Sequence, residues 1–159
     1  MNATNGLVRP LKMVLIEDSL MDINLFKIAL SRRNSTTELT TFRNGEMAIS
    51  YFRKDMGQES KPDLTILDLN LPGMGGIEVL EKLKGDPIFR SIPVVVFSST
   101  QLNDEIKRCY DKGAVKVVTK PAELGPFLES VQGIEDCARR KLEGDVDRGK
   151  GIGGESNNP

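Results

Sequence analysis

Five short apolar runs alternate with five amphipathic stretches along this chain, and no other feature narrows its possible folds so far. Met13-Val14-Leu15-Ile16, Glu38 to Phe42, Leu64-Thr65-Ile66-Leu67, Ile92 to Phe97 and Val115 to Val118 read as strands. The first helix follows Ser19, a predicted N-cap, with apolar residues at Leu20, Ile23, Phe26 and Leu30. The second carries Met47, Ala48, Tyr51 and Phe52. The third carries Ile77, Leu80 and Leu83 and ends near Gly85-Asp86-Pro87. The fourth spaces Leu102, Ile106, Cys109 and Tyr110 and stops at Gly113, with Ser99 or Thr100 as its expected cap. The last starts around Pro126 and runs to Leu142. Repeated β–α units demand a parallel sheet with right-handed crossovers. The first, third and fourth strands are continuous apolar runs, as strands covered on both faces should be, whereas the second and fifth are polar edges. This pattern predicts an α/β fold with five parallel strands in the order 2-1-3-4-5, doubly wound and flavodoxin-like, with helices on both faces.

Composition supplies the exclusions. At 159 residues the chain suits one domain. The reading places that domain at 11–142, with disordered segments at 1–10 and 143–159. Balanced charge, 22 basic against 23 acidic residues, gives no reason to expect nucleic acid or an anionic membrane as partner. No apolar run is long enough to cross a bilayer, and the amino end lacks the apolar core of a signal peptide. A cytoplasmic location is expected. The absence of histidine excludes Ser-His-Asp and Cys-His catalysis and the usual zinc sites. Cys109 and Cys137 fall in helical patterns and read as reduced packing residues.

Each strand's carboxyl end carries chemistry: Glu17-Asp18 after the first, Asp68 after the third, Ser98-Ser99-Thr100 at the fourth, Lys120-Pro121 at the fifth. A doubly wound sheet gathers these positions in one crevice. Clustered carboxylates repel one another unless a cation neutralises them, and oxygen-only ligands favour a hard ion, Mg²⁺. Acids, a hydroxyl and a lysine together suit phosphoryl transfer, with Asp68 as nucleophile and Glu17 and Asp18 as metal ligands. Each residue alone has an ordinary reading. Adjacent acids favour a helix N-terminus, an Asp before a proline favours a turn, and a lone lysine is usually at the surface.

Ile16-Glu17-Asp18-Ser19, Leu67-Asp68-Leu69-Asn70-Leu71-Pro72, Ser98-Ser99 and Thr119-Lys120-Pro121 together resemble the receiver domain of two-component response regulators, over about residues 11 to 142. The stretch before Pro62, the Gly85-Asp86-Pro87 turn and the long last helix are similar to the stand-alone regulators that partner bacterial phytochromes. The resemblance implies phosphorylation of Asp68 by a sensor histidine kinase, with a bacterial phytochrome among the possible kinases. It implies Mg²⁺ bound directly by Asp18 and Asp68, by Glu17 through water, and by the Asn70 backbone carbonyl. Ser98 becomes the switch hydroxyl and Lys120 the conserved lysine, preceding a cis proline at Pro121. Such a protein is a phosphoacceptor that assists its own phosphorylation and dephosphorylation rather than an enzyme with a separate substrate. Its output would be a change in the surface of helix 4, strand 5 and helix 5, which could also form a homodimer. Val117 stands where family members often carry an aromatic, and Gly75 where an acid is usual. Two alternatives remain: an Mg²⁺-dependent phosphatase-like hydrolase with an aspartyl nucleophile, and a scaffold that works without phosphorylation. The hydrolase generally has a second Asp two residues on, and Asn70 occupies that position.

Overall fold

The computed structural model describes residues 9–33, 36–54 and 61–150. Its elements alternate as β1 (Leu11–Ile16), α1 (Leu20–Ser31), β2 (Thr37–Phe42), α2 (Gly45–Lys54), β3 (Leu64–Leu67), α3 (Gly76–Gly85), β4 (Val94–Ser98), α4 (Asn103–Asp111), β5 (Lys116–Thr119) and α5 (Leu124–Lys150). The five strands form one parallel sheet in the order β2-β1-β3-β4-β5. The predicted α/β, doubly wound arrangement is therefore the observed one.

Side-chain alternation divides each apolar run between two cores. Met13, Leu15, Ile66, Val95 and Phe97 face α1 and α5, where they meet Ile23, Phe26, Phe127, Leu128 and Val131. Val14, Ile16, Leu67, Val94 and Val96 face the other side, against Ala48, Phe52, Val79, Leu80 and Cys109. Phe97 links helices across the first core, its ring 6.3 Å from Phe26 and 5.2 Å from Phe127. Beyond this core, α5 is fastened to α1 and β2 by polar contacts. Glu135 is 1% exposed. It accepts a hydrogen bond from Thr37 Oγ1 at 2.5 Å, with Arg33 and Arg139 at 3.8 and 3.9 Å.

Ser19 caps α1 as expected, its hydroxyl accepting from Asp22 N at 3.2 Å. The α4 cap differs. Leu102 is the N-cap, and its apolar side chain offers no bond; the Thr100 hydroxyl instead donates to Glu105 and accepts from Leu102 N at 3.4 Å. At its other end α4 closes as foreseen. Gly113, at φ 104°, donates to Tyr110 O, and Ala114 donates to Cys109 O, a double closure that requires the left-handed backbone glycine tolerates. β4 begins at Val94 instead of Ile92, since Pro93 has no N–H to give a ladder.

Two boundary expectations are corrected. Arg9 is paired with Asp63 at 2.5 Å, so part of the stretch read as disordered is bound to the loop before β3. α5 continues to Lys150 beyond the expected end at Leu142, since each added residue of a formed helix gains a backbone hydrogen bond without a new nucleation cost. Residues 1–8 and 151–159 lie outside the described residues. Cys109 is buried as expected, but Cys137 is exposed, on the side of α5 that overhangs the strands' amino ends.

Candidate functional site

Chain connectivity assembles the site at the carboxyl ends of β1, β3, β4 and β5. Glu17 N donates to Phe42 O and Asp68 N to Ile16 O, so both acids extend backbone ladders and are fixed by them. Lys120 N donates to Ser98 O at 2.8 Å, tying the end of β5 to the end of β4. Side chains then converge. Glu17, Asp18 and Asp68 each offer an oxygen within 4.8 Å of the others. Lys120 Nζ lies 2.6 Å from Glu17 Oε2, 2.9 Å from Asp22 Oδ2 and 3.1 Å from Asp68 Oδ2. Its ammonium also stands 5.9 Å from the centroid of the Phe97 ring.

Smaller bonds orient these groups. The Ser19 N–H donates to Glu17 Oε1 at 3.1 Å, and the Asn70 N–H to Asp68 Oδ1 at 3.2 Å. Ser98 is fully buried, and its hydroxyl has no partner among the described residues. Gly76 completes the wall. A Cβ there would run into Asp68 O and the Leu69 Cα, so only glycine lets α3 begin this close to the Asp68 backbone.

Charge is unbalanced here. Burial pushes the Glu17 carboxyl up to about 7, against the pull of Lys120 and with the added push of Asp68. Burial would also raise Asp68, but the Lys120 charge and the Asn70 N–H outweigh it and hold Asp68 below the usual carboxylate range. Burial opposes the charged form of Lys120. Its bonds to Glu17 and Asp22 overcome that and hold the ammonium above its ordinary value. At neutral pH the crevice therefore contains an ionised Asp68, a charged Lys120 and too few positive charges for its acids. A hard divalent cation with oxygen ligands fits this donor set, since among the described residues the group consists of carboxylates alone and the excess charge is negative.

The sequence-based residues Glu17, Asp18, Asp68, Ser98 and Lys120 are thus brought to one end of the sheet, and Asn70 contributes its N–H. Two features went unread. Asp22 was not singled out in the sequence, where nothing sets it apart from other first-turn acids, and only the fold shows its contact with Lys120. Phe97 read purely as core. One expectation fails: the Lys120–Pro121 peptide is trans, as is every described bond, in keeping with the trans preference of about 0.5–1 kcal/mol that X–Pro bonds retain.

Comparison with known proteins agrees with this architecture. The model for the response regulator receiver domain matches residues 13–132. Response regulator Rcp1 of Synechocystis is 34% identical over 128 residues, covering 79% of this chain and 87% of the relative. The two-component response regulator ARR7 of Arabidopsis thaliana is 30% identical over 154 residues, covering 86% of this chain and 74% of that one. Among solved structures, the phosphorylated cyanobacterial phytochrome response regulator RcpA superposes with a TM-score of 0.75 at 39% identity, covering 80% of this chain and 93% of its own. The Mn²⁺-bound form of Rcp1 gives 0.73 at 34%, covering 79% and 92%. Fold, order of motifs and relatives thus agree, and this chain belongs to the response regulator receiver domain family of two-component systems.

Proposed function

We propose that this protein accepts a phosphoryl group on Asp68 from a sensor histidine kinase and signals through its own surface. The observation that carries this reading is the position of the Lys120 ammonium, 3.1 Å from an Asp68 oxygen and 2.6 Å from Glu17, beside an ionised nucleophile. One Asp68 carboxylate oxygen attacks phosphorus in line. The new O–P bond forms as the donor N–P bond breaks, and the leaving imidazole keeps the bonding pair and takes up a proton. Lys120 balances the charge of the incoming oxygens, and the unpartnered Ser98 hydroxyl is available to donate to one of them. Asp18, Asp68 and the Asn70 carbonyl would hold Mg²⁺ directly, with Glu17 acting through water. Bound there, the ion supplies charge neutralisation to the phosphoryl oxygens.

Phytochrome-associated names among the relatives, RcpA above all, support a light-sensing kinase as donor. No observation favours the aspartyl hydrolase. Its second acid is absent, with Asn70 in that position. The test is intact-mass analysis after incubation with acetyl phosphate. One added phosphoryl group is expected in Mg²⁺ and none in chelator, and Asp68→Asn should stay unlabelled. Labelling of that variant at the parent's level would disprove the assignment.

A further inference from the structure

An ammonium has three N–H donors, and all three of Lys120 are directed to carboxylates: Glu17, Asp22 and Asp68. Two of these three belong to the group of acids whose oxygens lie within 4.8 Å of one another, Glu17, Asp18 and Asp68; Asp22 does not. A cation drawn to that group therefore competes with Lys120 for two of the lysine's partners and leaves the third untouched. Resting on the function proposed above, we propose that Asp22 is a positioning residue that holds Lys120 in place while Glu17 and Asp68 turn to the cation and the phosphoryl group.

The local structure suits this task. Asp22 sits in the first turn of α1, where its backbone N–H is held by the Ser19 hydroxyl. Ser19 also donates its own N–H to Glu17, so one capping residue sets the separation of two of Lys120's partners. The Asp22 side chain is 21% exposed against 3% for Glu17 and 5% for Asp68, making it the outermost of the three. Held by Asp22, Lys120 keeps a charge partner when the two inner acids turn to the cation. An acid in a first turn is commonplace and interacts favourably with the helix dipole in any case. The positioning role is distinguished by requiring Lys120.

A double-mutant cycle read by Mg²⁺ titration calorimetry separates the two. Asp22→Ala should weaken Mg²⁺ binding about five-fold, because Lys120 then rests wholly on Glu17 and Asp68. In a Lys120→Met background the same change should alter affinity less than about two-fold. Equal weakening in both backgrounds, or none in either, would make Asp22 a mere first-turn charge and overturn the inference. If the parent binds no Mg²⁺ at all, the proposed function falls and the inference falls with it, an outcome distinct from either. Since Lys120→Met leaves buried acids uncompensated and could unfold, a second readout uses the lysine itself. In saturating Mg²⁺, Lys120 of Asp22→Asn should be acylated by an amine-reactive ester several-fold faster than in the parent, by peptide mass analysis. An unchanged rate would equally overturn the role.

Discussion

Ser98 and Thr65 are both fully buried hydroxyls without a hydrogen-bond partner among the described residues, yet their positions give them different meanings. Thr65 lies inside β3 between Val14 and Val94, where apolar neighbours surround it. Leaving such a group unpaired costs about 1–3 kcal/mol, so Thr65→Val should raise the unfolding free energy by about 1 kcal/mol and leave phosphorylation unchanged. Ser98→Ala removes the same kind of penalty and should also stabilise, by urea titration. It should differ by abolishing the structural response to phosphorylation, because the donor for the phosphoryl oxygen is gone. Equal behaviour of the two variants in a phosphorylation-linked spectroscopic assay would remove Ser98 from the switch. At this scale the sequence was most informative where chemistry clusters at strand ends: Glu17, Asp18, Asp68, Ser98 and Lys120 were all legible. Asp22 was not, since its partner lies 98 positions away and its local setting looks like ordinary dipole compensation. Glu135 carries no signal of its burial for the same reason, its partners Arg33 and Thr37 being distant in sequence.

Elements carry the site by where they start and stop. The beginning of α3 presses against the Asp68 and Leu69 backbone, so Gly76→Ala should cost about 1–3 kcal/mol of stability and slow Asp68 labelling together. Calorimetric melting combined with labelling rates would expose an effect on one without the other. At the opposite end of the sheet, Arg9 and the Lys12 N–H both bond Asp63, fastening the chain before β1 to the loop before β3. Burial would raise the Asp63 carboxyl, but the Arg9 pair and the Lys12 N–H outweigh it and hold it below its ordinary value. A folded value below the unfolded one, about 3.9, means that the contact stabilises the protein above that pH. The contribution disappears as pH falls through the folded value. Urea midpoints should therefore drop between pH 6 and pH 3 by less in Asp63→Asn than in the parent; parallel curves would acquit Asp63. Most elements were legible from periodicity, because the apolar runs and their helices are long enough to show it. Boundaries failed where a side chain took a partner other than the expected one, Glu105 in the first turn of α4 for Thr100 and the distant Asp63 for Arg9.

Across the whole molecule, recesses open at both ends of the sheet, one of about 800 Å³ beside Asp22, Thr119 and Lys120 at the chemical end and a second at the strands' amino ends. The second, of about 510 Å³, is lined by Ile92, Val115, Ile134 and Leu142, while the acids occupy the carboxyl ends. How a phosphoryl group on Asp68 reaches the rest of the fold depends on how loosely the neighbouring face is held. α4 buries only Cys109, and β5 is an edge strand whose residues are exposed or half-buried. The start of α4 lacks a side-chain cap, and Leu102 there is 64% exposed. The two elements meet through a polar contact, Val117 N donating to the Tyr110 hydroxyl at 3.1 Å. Ser98 is tied to β5 through the Lys120 N–H, and Thr119 donates to Thr100 O, so an inward movement of Ser98 would draw on α4 and β5 at once. Under the proposed function, a phosphoryl group on Asp68 would add charge and acceptor oxygens beside Ser98 and Lys120 and would bias this face between two packings. With Val117 in place of an aromatic, no ring needs to turn inward, so the Ser98–Leu102 loop and repacking around Ile106 and Tyr110 should carry the change. Beryllofluoride should accordingly shift the amide resonances of residues 99–106 and of Val117, and Tyr110→Phe should speed exchange of the Val117 amide by removing its acceptor. Perturbations confined to residues 17–22, 68–70 and 120, with α4 and β5 silent, would refute this route and with it a signal that leaves through α4, β5 and α5.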